Sequence, residues 1–335
     1  MPSKAAQFTL PDTLSRWPWQ RHLNPHYEKI KMESDSWVEG FGLLEPAPQM
    51  AFNACNFIAS LFYPKIDGPM LRFACDLMQL FFIYEEFSDS AGEQDAKKLA
   101  EDVMNAMRNS AAQPPVDEHV VAQMARELWL SIPDGVNETP KQRFLDTFDA
   151  YVSAVTQEAY DRSIHLVRDV QAYLELRRLT IGIYPSIALL EFVLDLPEEV
   201  LEHKAIEEQR ALAIDMILIC NDICSYNVEQ SKGEASHNFI VILMRELQVD
   251  IAGAMDWLSA HHKTLVDRFL VQMASLPSLG ADLDQRVQQY VNGLGDIVRG
   301  NDCWSFESER YFGKHGREIQ KHRVVTLSPA IADVS

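Results

Sequence analysis

An amide, a hydroxyl and a carboxylate recur at a spacing of four residues in this chain, as Asn221, Ser225 and Glu229. On a helix such residues share one face, so they predict a stripe of oxygen atoms roughly 12 Å long. Most polar stripes are only solvated helix faces. Oxygen ligands nevertheless suit Mg²⁺, which completes its octahedral shell with water and substrate phosphate. We therefore interpret the stripe as a candidate site for a phosphate or diphosphate held through Mg²⁺.

A second acidic cluster follows an apolar stretch at residues 78–84 and contains Glu85, Glu86 and Asp89. Glu85 and Asp89 lie one helical turn apart, where like charges repel unless a cation sits between them. The Asn221 motif has the same layout, because the apolar stretch 214–220 precedes it. If the two helices face each other, metal ions lie at the mouth of an apolar pocket. That pocket suits an amphiphile with a diphosphate head and a hydrocarbon tail.

Helices must position these residues. The chain has 335 residues, is 47% hydrophobic and contains only 14 glycines, and helix-forming residues recur in long stretches. Helical periodicity begins near Gln49 and recurs through most of the chain. The predicted ranges are 70–88, 95–109, 117–131, 140–167, 169–190, 199–229, 236–247, 251–273 and 282–299. No strand-type alternation competes, so the sequence predicts an all-α protein.

Nothing in the sequence marks a domain boundary, and we expect residues 1–335 to form a single domain. Prolines punctuate the start of the chain, so residues 1–45 or so are expected to be an extended segment that packs over the domain. A helix break is expected at Gly182 and Pro185. The last residues, from about 324 to 335, are expected to form a flexible tail.

The net charge of −19 and the pI near 4.9 argue against a nucleic acid or an anionic membrane as partner, since both need a basic face. Five cysteines without metal-binding spacing indicate reduced thiols. We find neither a signal peptide nor an apolar stretch approaching about 18 residues. The expectation is a cytoplasmic protein without stable membrane association, either a monomer or a homodimer.

These motifs resemble those of class I terpene synthases, specifically the fungal, basidiomycete-type sesquiterpene cyclases. The family's NDxxSxxxE segment is intact from Asn221 to Glu229, whereas its D(D/E)xxD segment is altered, with Glu85 in place of the leading aspartate. Three further segments match, namely 177–182 (RRLTIG), Arg310-Tyr311 and 17–21 (WPWQR). The resemblance extends across nearly the whole chain.

The resemblance implies a class I isoprenoid synthase fold, a single α-helical domain around a central apolar cavity. It also implies three Mg²⁺ ions, for which Mn²⁺ can substitute. The implied metal-binding residues are Glu85, Asp89, Asn221, Ser225 and Glu229. The implied diphosphate-binding residues are Arg178, Lys232, Arg310 and Tyr311. Arg178 is preferred over Arg177 because it lies four residues before Gly182. Together with Arg178, the catalytic set is Glu85, Asn221, Ser225 and Glu229.

Side chains one turn before the polar motifs are expected to line the upper cavity. They are Phe81, Phe82, Ile217 and Leu218, with Gly182 and Trp304 as further candidates for the wall. Aromatic faces can stabilise a carbocation by about 0.5–2 kcal/mol. Each aromatic residue taken singly is more often a core residue than a catalytic wall.

The implied function is Mg²⁺-dependent ionisation of farnesyl diphosphate, followed by cyclisation or water capture to a C15 hydrocarbon or alcohol, with release of diphosphate. Two alternatives stay open and a third is disfavoured. One is a synthase that forms acyclic alcohols of the nerolidol or linalool type from farnesyl or geranyl diphosphate. Another is a catalytically silent isoprenoid-binding helical protein. A chain-elongating prenyltransferase is disfavoured by the Asn-Ser-Glu pattern. Whether Glu85 or Glu86 binds metal is also open.

Overall fold

The computed structural model describes residues 6–43 and 49–329, without the side chains of 49–53. Within these ranges helices dominate and two short strands form one sheet. The strands are β1 (Gln7–Thr9) and β2 (Val324–Thr326). The helices are α1 (Tyr27–Glu39), α2 (Gln49–Phe62), α3 (Gly68–Ser90), α4 (Glu93–Arg108), α5 (Val120–Leu130), α6 (Glu138–Ser163), α7 (Val170–Thr180), α8 (Ile183–Leu194), α9 (Glu198–Leu201), α10 (Lys204–Lys232), α11 (Phe239–Leu247), α12 (Ile251–Met273), α13 (Ala281–Glu307) and α14 (Gly316–His322).

The two motif-bearing helices, α3 and α10, have well-formed ends. At the start of α3, the side chain of Asp67 accepts a hydrogen bond from the Met70 amide at 3.0 Å, which satisfies one of the unpaired amides of the first turn. At the end of α10, Gly233 takes φ = +79°, the left-handed conformation that glycine adopts at no steric cost. The apolar stretch before each polar motif is buried. Both motifs therefore lie at the carboxyl ends of long core helices, as the sequence predicts.

Helix α10 packs against α12 and α13, α13 packs in turn against α2, and α6 packs against α4 and α8. The all-α prediction is confirmed. The expected break after α7 is also present, because Gly182 has φ = +72° between α7 and α8. Pro185 lies in the first turn of α8, where it removes no helical hydrogen bond.

The prediction of an extended segment up to residue 45 is wrong in part, because α1 occupies Tyr27–Glu39. The four prolines that suggested extended structure end at Pro25, before this helix begins. Three residues spaced by four, Ile30, Ser34 and Val38, form its buried face. Ion pairs between side chains four residues apart, such as Lys31 with Asp35 at 2.6 Å, add modest support.

The segment before α1 packs over the domain, as expected, and contacts α13. Trp17 is buried, and its indole nitrogen donates to the Gly295 carbonyl at 3.1 Å. Trp19 lies so close to Gly295 that a Cβ there would come within 2.1 Å of the indole ring. The Arg299 guanidinium donates to the backbone carbonyls of Leu14, Trp17 and Trp19. Glycine at position 295 of α13 is therefore needed for Trp17 and Trp19 to pack against this helix.

The expected flexible tail is also corrected, since β2 pairs antiparallel with β1. Asn227 of α10 holds the next residues through hydrogen bonds with the Thr326 carbonyl and with Ser328. Two strands of three residues each, from opposite ends of the chain, give almost no periodic signal. Residues 330–335, which the prediction also covered, lie outside the described residues.

By length and mean hydropathy α10 could cross a membrane, although the sequence analysis found no such stretch. Its best 18-residue window has a mean hydropathy of 1.3, and 78% of that window is buried inside the protein. Buried core helices of water-soluble proteins pass the same test, so this is weak evidence for a membrane span.

We predict that acid weakens the fold through His262, a fully buried residue of α12. Burial lowers the pKa of His262 to about 4 from 6.5. Between these values the unfolded state binds the extra proton, so the free energy of unfolding falls as pH falls. Denaturant titrations should show that wild type loses roughly 1.5 kcal/mol between pH 6.5 and 5 relative to His262→Leu. Parallel pH dependences for the two proteins would contradict this assignment.

Candidate active site

The break between α7 and α8 places backbone close to an aromatic ring. A side chain at Gly182 would lie 3.6 Å from the Phe81 ring, and φ = +72° strains any other residue there. The Gly182 carbonyl accepts a hydrogen bond from the Ser186 hydroxyl at 2.7 Å. Phe81 also stacks on Phe148 and packs edge-on against Tyr151. The break at Gly182 therefore lies beside the Phe81 ring of α3, which is itself packed against α6.

The polar stripe of α10 is partly buried and hydrogen-bonded along its length. Asn221 Oδ1 accepts from the Arg177 guanidinium at 2.8 Å, and Asn221 Nδ2 donates to the Tyr311 hydroxyl at 2.9 Å. At the other end of the stripe, Glu229 Oε2 accepts from Asn238 Nδ2 at 3.0 Å. Ser225 is 3% exposed and lies between them. The stripe is therefore part of a polar network and not a solvated helix face.

The two adjacent arginines of α7 have different partners on α10. Arg177 contacts both Asn221 and Asp222, whereas Arg178 makes a bidentate pair with Asp215 at 2.6 and 2.9 Å. Neighbouring residues on a helix point about 100° apart. The two arginines therefore contact α10 at points two turns apart, about 10 Å along its axis. Arg177 therefore contacts the stripe, and the role of Arg178 in binding diphosphate stays a prediction.

A buried carboxylate, Asp222, connects α7, α10 and α11. It is 1% exposed and accepts hydrogen bonds from the Tyr173 hydroxyl, from Arg177 and from the Phe239 amide. Its oxygens are thus satisfied by protein groups on both sides. Asp222 anchors Arg177 beside Asn221.

On the opposite wall, Glu85 is partly buried while Glu86 is exposed. Burial, together with the negative charge of Asp89, raises the pKa of Glu85 to about 7, and the positive charges of Arg310 and Arg177 oppose this rise. Asp89 is more exposed and lies 3.4 Å from Arg162. Of the two adjacent glutamates, Glu85 faces the basic side chains.

Arg177 lies near both walls. Burial raises the pKa of Glu229 as well, and the positive charge of Arg177 lowers it. The same guanidinium acts on Glu85 and on Glu158, a third partly buried carboxylate. The acidic cluster of α3 and the stripe of α10 therefore both feel the charge of one guanidinium.

Arg310 and Tyr311 lie beside an aromatic group. The guanidinium carbon of Arg310 is 4.6 Å from the centre of the Phe82 ring, a cation–π contact. Trp304 is buried and packs against both Phe82 and Tyr311. Thus Phe82 and Trp304, which were predicted as cavity wall, adjoin the predicted diphosphate-binding pair.

The structure does not bring every predicted site residue to this point. Lys232 is the last residue of α10, and its exposed ammonium lies 3.8 Å from Glu234. Ile217 and Leu218 are fully buried in the core. Their role as cavity wall, and that of Lys232 in binding diphosphate, stay predictions.

Comparison with known proteins assigns this chain to a family. The model of "Terpene synthase family 2, C-terminal metal binding" matches residues 76–268. The chain is 45% identical to Delta(6)-protoilludene synthase of Armillaria gallica, with 96% of this chain and 93% of the relative covered. It is 44% identical to Delta(6)-protoilludene synthase STEHIDRAFT_73029 of Stereum hirsutum, with 98% and 90% covered.

This chain belongs to the terpene synthase family. The family match and the named relatives confirm the prediction of a fungal-type sesquiterpene synthase, a class I enzyme. They support it over the acyclic-alcohol and silent-binder alternatives. The solved germacradien-4-ol synthase from Streptomyces citricolor has a TM-score of 0.76 at 20% identity, with 86% of this chain and 98% of that chain covered. That similarity supports the fold.

The donor set of this terpene synthase fits a divalent metal. Among the described residues, no three His, Cys, Asp or Glu side chains converge as a metal-binding group. The predicted ligands on α10 are instead an amide, a hydroxyl and a carboxylate, all oxygen donors that suit Mg²⁺. Asn221, Ser225 and Glu229 could hold such an ion from one wall and Glu85 from the other.

Two residues of the site, Glu158 and Asn238, were missed by the sequence analysis. Two others, Arg177 and Asp222, lie within the predicted motifs but were given no role. A signal existed for Asn238, because asparagine directly before the apolar residues 239–243 is a favoured helix cap. Nothing local marks Glu158, which lies in the middle of α6.

We predict that Arg177→Ala lowers kcat/KM for prenyl diphosphate far more than Arg178→Ala. Removing Arg177 deletes a charge beside Asn221, whereas removing Arg178 deletes a pair with Asp215. For a buried charged contact the loss should be about 100-fold or more. Steady-state kinetics measure it, and thermal unfolding controls for the stability that both variants lose. Equal losses for the two variants would refute the assignment of Arg177.

Proposed function

We propose that this terpene synthase ionises farnesyl diphosphate in an Mg²⁺-dependent reaction and cyclises the C15 chain with release of diphosphate. The observation that carries the proposal is the position of Arg177. Its guanidinium bonds to the amide of the α10 stripe and acts on the acidic cluster of α3. A diphosphate held at this point would meet oxygen ligands for metal on two walls.

In this proposal the ligands are Glu85 and Asp89 on α3 and Asn221, Ser225 and Glu229 on α10. Three Mg²⁺ ions are expected, with Mn²⁺ as a substitute. When bound, the metal supplies Lewis-acid stabilisation of the departing diphosphate oxygens. Arg177, Arg310 and Tyr311 then bind phosphate oxygens directly, because guanidinium groups suit bidentate contact.

The buried aromatic side chains beside this point can protect the reacting chain from water. Phe82 and Trp304 pack together beside Arg310. Apolar and aromatic surfaces offer no nucleophile to an allylic cation, and a ring face stabilises positive charge. We propose that these rings form the upper wall of the cavity that holds the farnesyl chain.

The relatives named above support Delta(6)-protoilludene as the product, because they carry that activity in their names and are 44–45% identical over nearly the whole chain. The altered Glu85 is the feature of this chain that argues for a different outcome. An added methylene moves the carboxylate by about an ångström, and Mg²⁺ tolerates little error in ligand distance. We also propose that the protein is cytoplasmic and is a monomer or a homodimer.

Incubation with geranyl, farnesyl and geranylgeranyl diphosphates tests the proposal. With Mg²⁺, only farnesyl diphosphate should give a cyclic C15 product in gas chromatography–mass spectrometry, and chelation should abolish it. Asn221→Ala should lower turnover by about 100-fold or more through loss of a metal ligand. Linear alcohols alone would mean ionisation without cyclisation. Absence of product and of diphosphate release would contradict the proposed function.

Glu85→Asp tests the altered acidic motif. Because aspartate restores the shorter side chain of the related enzymes, we expect tighter metal binding. The Mg²⁺ concentration for half-maximal turnover should fall. The main product should stay the same, and only minor products should change in amount. Glu86→Asp is the matched control, because Glu86 is the exposed neighbour. If both variants behave as wild type, the added methylene does not limit metal binding. An effect of Glu86→Asp alone would assign the ligand to Glu86.

A further inference from the structure

We propose that Asn238 is a positioning residue for metal binding, whose side-chain amide holds Ser225 and Glu229 in the orientation from which they bind Mg²⁺. The inference rests on the proposed function and adds to it a residue outside both family motifs. Asn238 lies between the end of α10 and the start of α11. It is fully buried.

The amide nitrogen of Asn238 contacts three oxygens of α10. Nδ2 lies 3.0 Å from Glu229 Oε2, 3.4 Å from Ser225 Oγ and 2.9 Å from the Asp222 carbonyl oxygen. A side-chain amide has two N–H donors, so these three oxygens share them: the Asp222 backbone carbonyl and the Ser225 and Glu229 side chains of the stripe. The Asn238 donor thus contacts Glu229 at Oε2.

The other end of the same side chain is also fixed. Asn238 Oδ1 accepts from the Ile240 amide at 3.0 Å and so caps α11. The next amide, that of Phe239, donates to the Asp222 carboxylate at 3.0 Å. Phe239 itself is fully buried and packs against Tyr173 and Trp257. Asn238 is therefore held rigidly and cannot follow a rotation of Glu229.

Without such contacts, the side chains of Glu229 and Ser225 would rotate between several conformations. Both lie within the last two turns of α10, which ends at Lys232, and a glutamate side chain has three rotatable bonds. Outer-shell hydrogen bonds of this kind orient metal ligands, and their loss typically costs about 10–100-fold in metal affinity or activity. Asn238 supplies such a bond to two ligands from one rigid group.

The test is Asn238→Ser. Serine is a favoured helix cap, so α11 keeps its capping oxygen while the amide donors to Glu229, Ser225 and the Asp222 carbonyl are lost. Mn²⁺ binding in the presence of inorganic diphosphate, followed by electron paramagnetic resonance, should weaken by about 10–100-fold. The Mg²⁺ concentration for half-maximal turnover should rise by a similar factor, and excess Mg²⁺ should restore most of kcat.

Asn227→Ser is the matched control, because Asn227 lies on α10 but hydrogen-bonds the chain near β2. It should leave Mn²⁺ affinity within about threefold of wild type. Thermal unfolding in chelator measures the capping role separately. If Asn238→Ser does not fold, Asn238→Gly replaces it, since glycine at a cap costs only a few tenths of a kcal/mol relative to asparagine.

This design distinguishes failure of the inference from failure of the proposed function. Wild-type Mn²⁺ affinity in the Asn238 variant, with or without a lower unfolding temperature, would reduce Asn238 to a helix cap and overturn the inference. Failure of the wild-type protein to bind Mn²⁺ together with diphosphate would instead overturn the proposed function, and the inference with it.

Discussion

The ion pair between Arg177 and Asp222 is the interaction on which the site depends. The Arg177 side chain is 17% exposed and that of Asp222 is 2% exposed, so neither charge is well solvated. Removing one partner of such a pair typically costs about 3–5 kcal/mol, because the other is left buried without compensation. The pair also joins α7 to α10, and the Phe239 amide adds α11 to the same carboxylate. The Arg177 guanidinium, which stabilises this junction, also hydrogen-bonds to Asn221.

Arg177 also accounts for the electrostatics of the surrounding acids. Burial raises the pKa of Glu85, Glu158 and Glu229, and in each case the Arg177 guanidinium opposes that rise. A cluster of partly buried carboxylates is unfavourable without positive charge nearby. One fixed cation therefore lets several acidic side chains stay close together in the absence of metal. The same density of negative oxygens is what a divalent metal would bind.

Sequence predicted the parts of the structure that depend on local patterns. The four-residue spacing at Asn221 and the apolar residues before Glu85 gave two helices and their polar ends. The choice between Arg177 and Arg178 depended instead on the rotation of α7 against α10, which local spacing does not determine. The β1–β2 pair and the role of Asn238 depend on contacts between segments far apart in the chain or across a turn. Helix α1 was missed because the prolines before it dominated the pattern.

Tyr311 begins a segment of the chain that contacts α10 at two points. Tyr311 bonds to Asn221, while Asn227, six residues further along the same helix, holds the segment around Ser328. Between these points α14 packs on α13 and β2 pairs with β1. The C-terminal segment is thus anchored to α10 on both sides of α14, at the stripe through Tyr311 and near β2 through Asn227. Arg310, by contrast, is exposed and rests on the Phe82 ring. Of the adjacent pair, Tyr311 is held by a hydrogen bond to α10, whereas the Arg310 side chain rests on an aromatic ring.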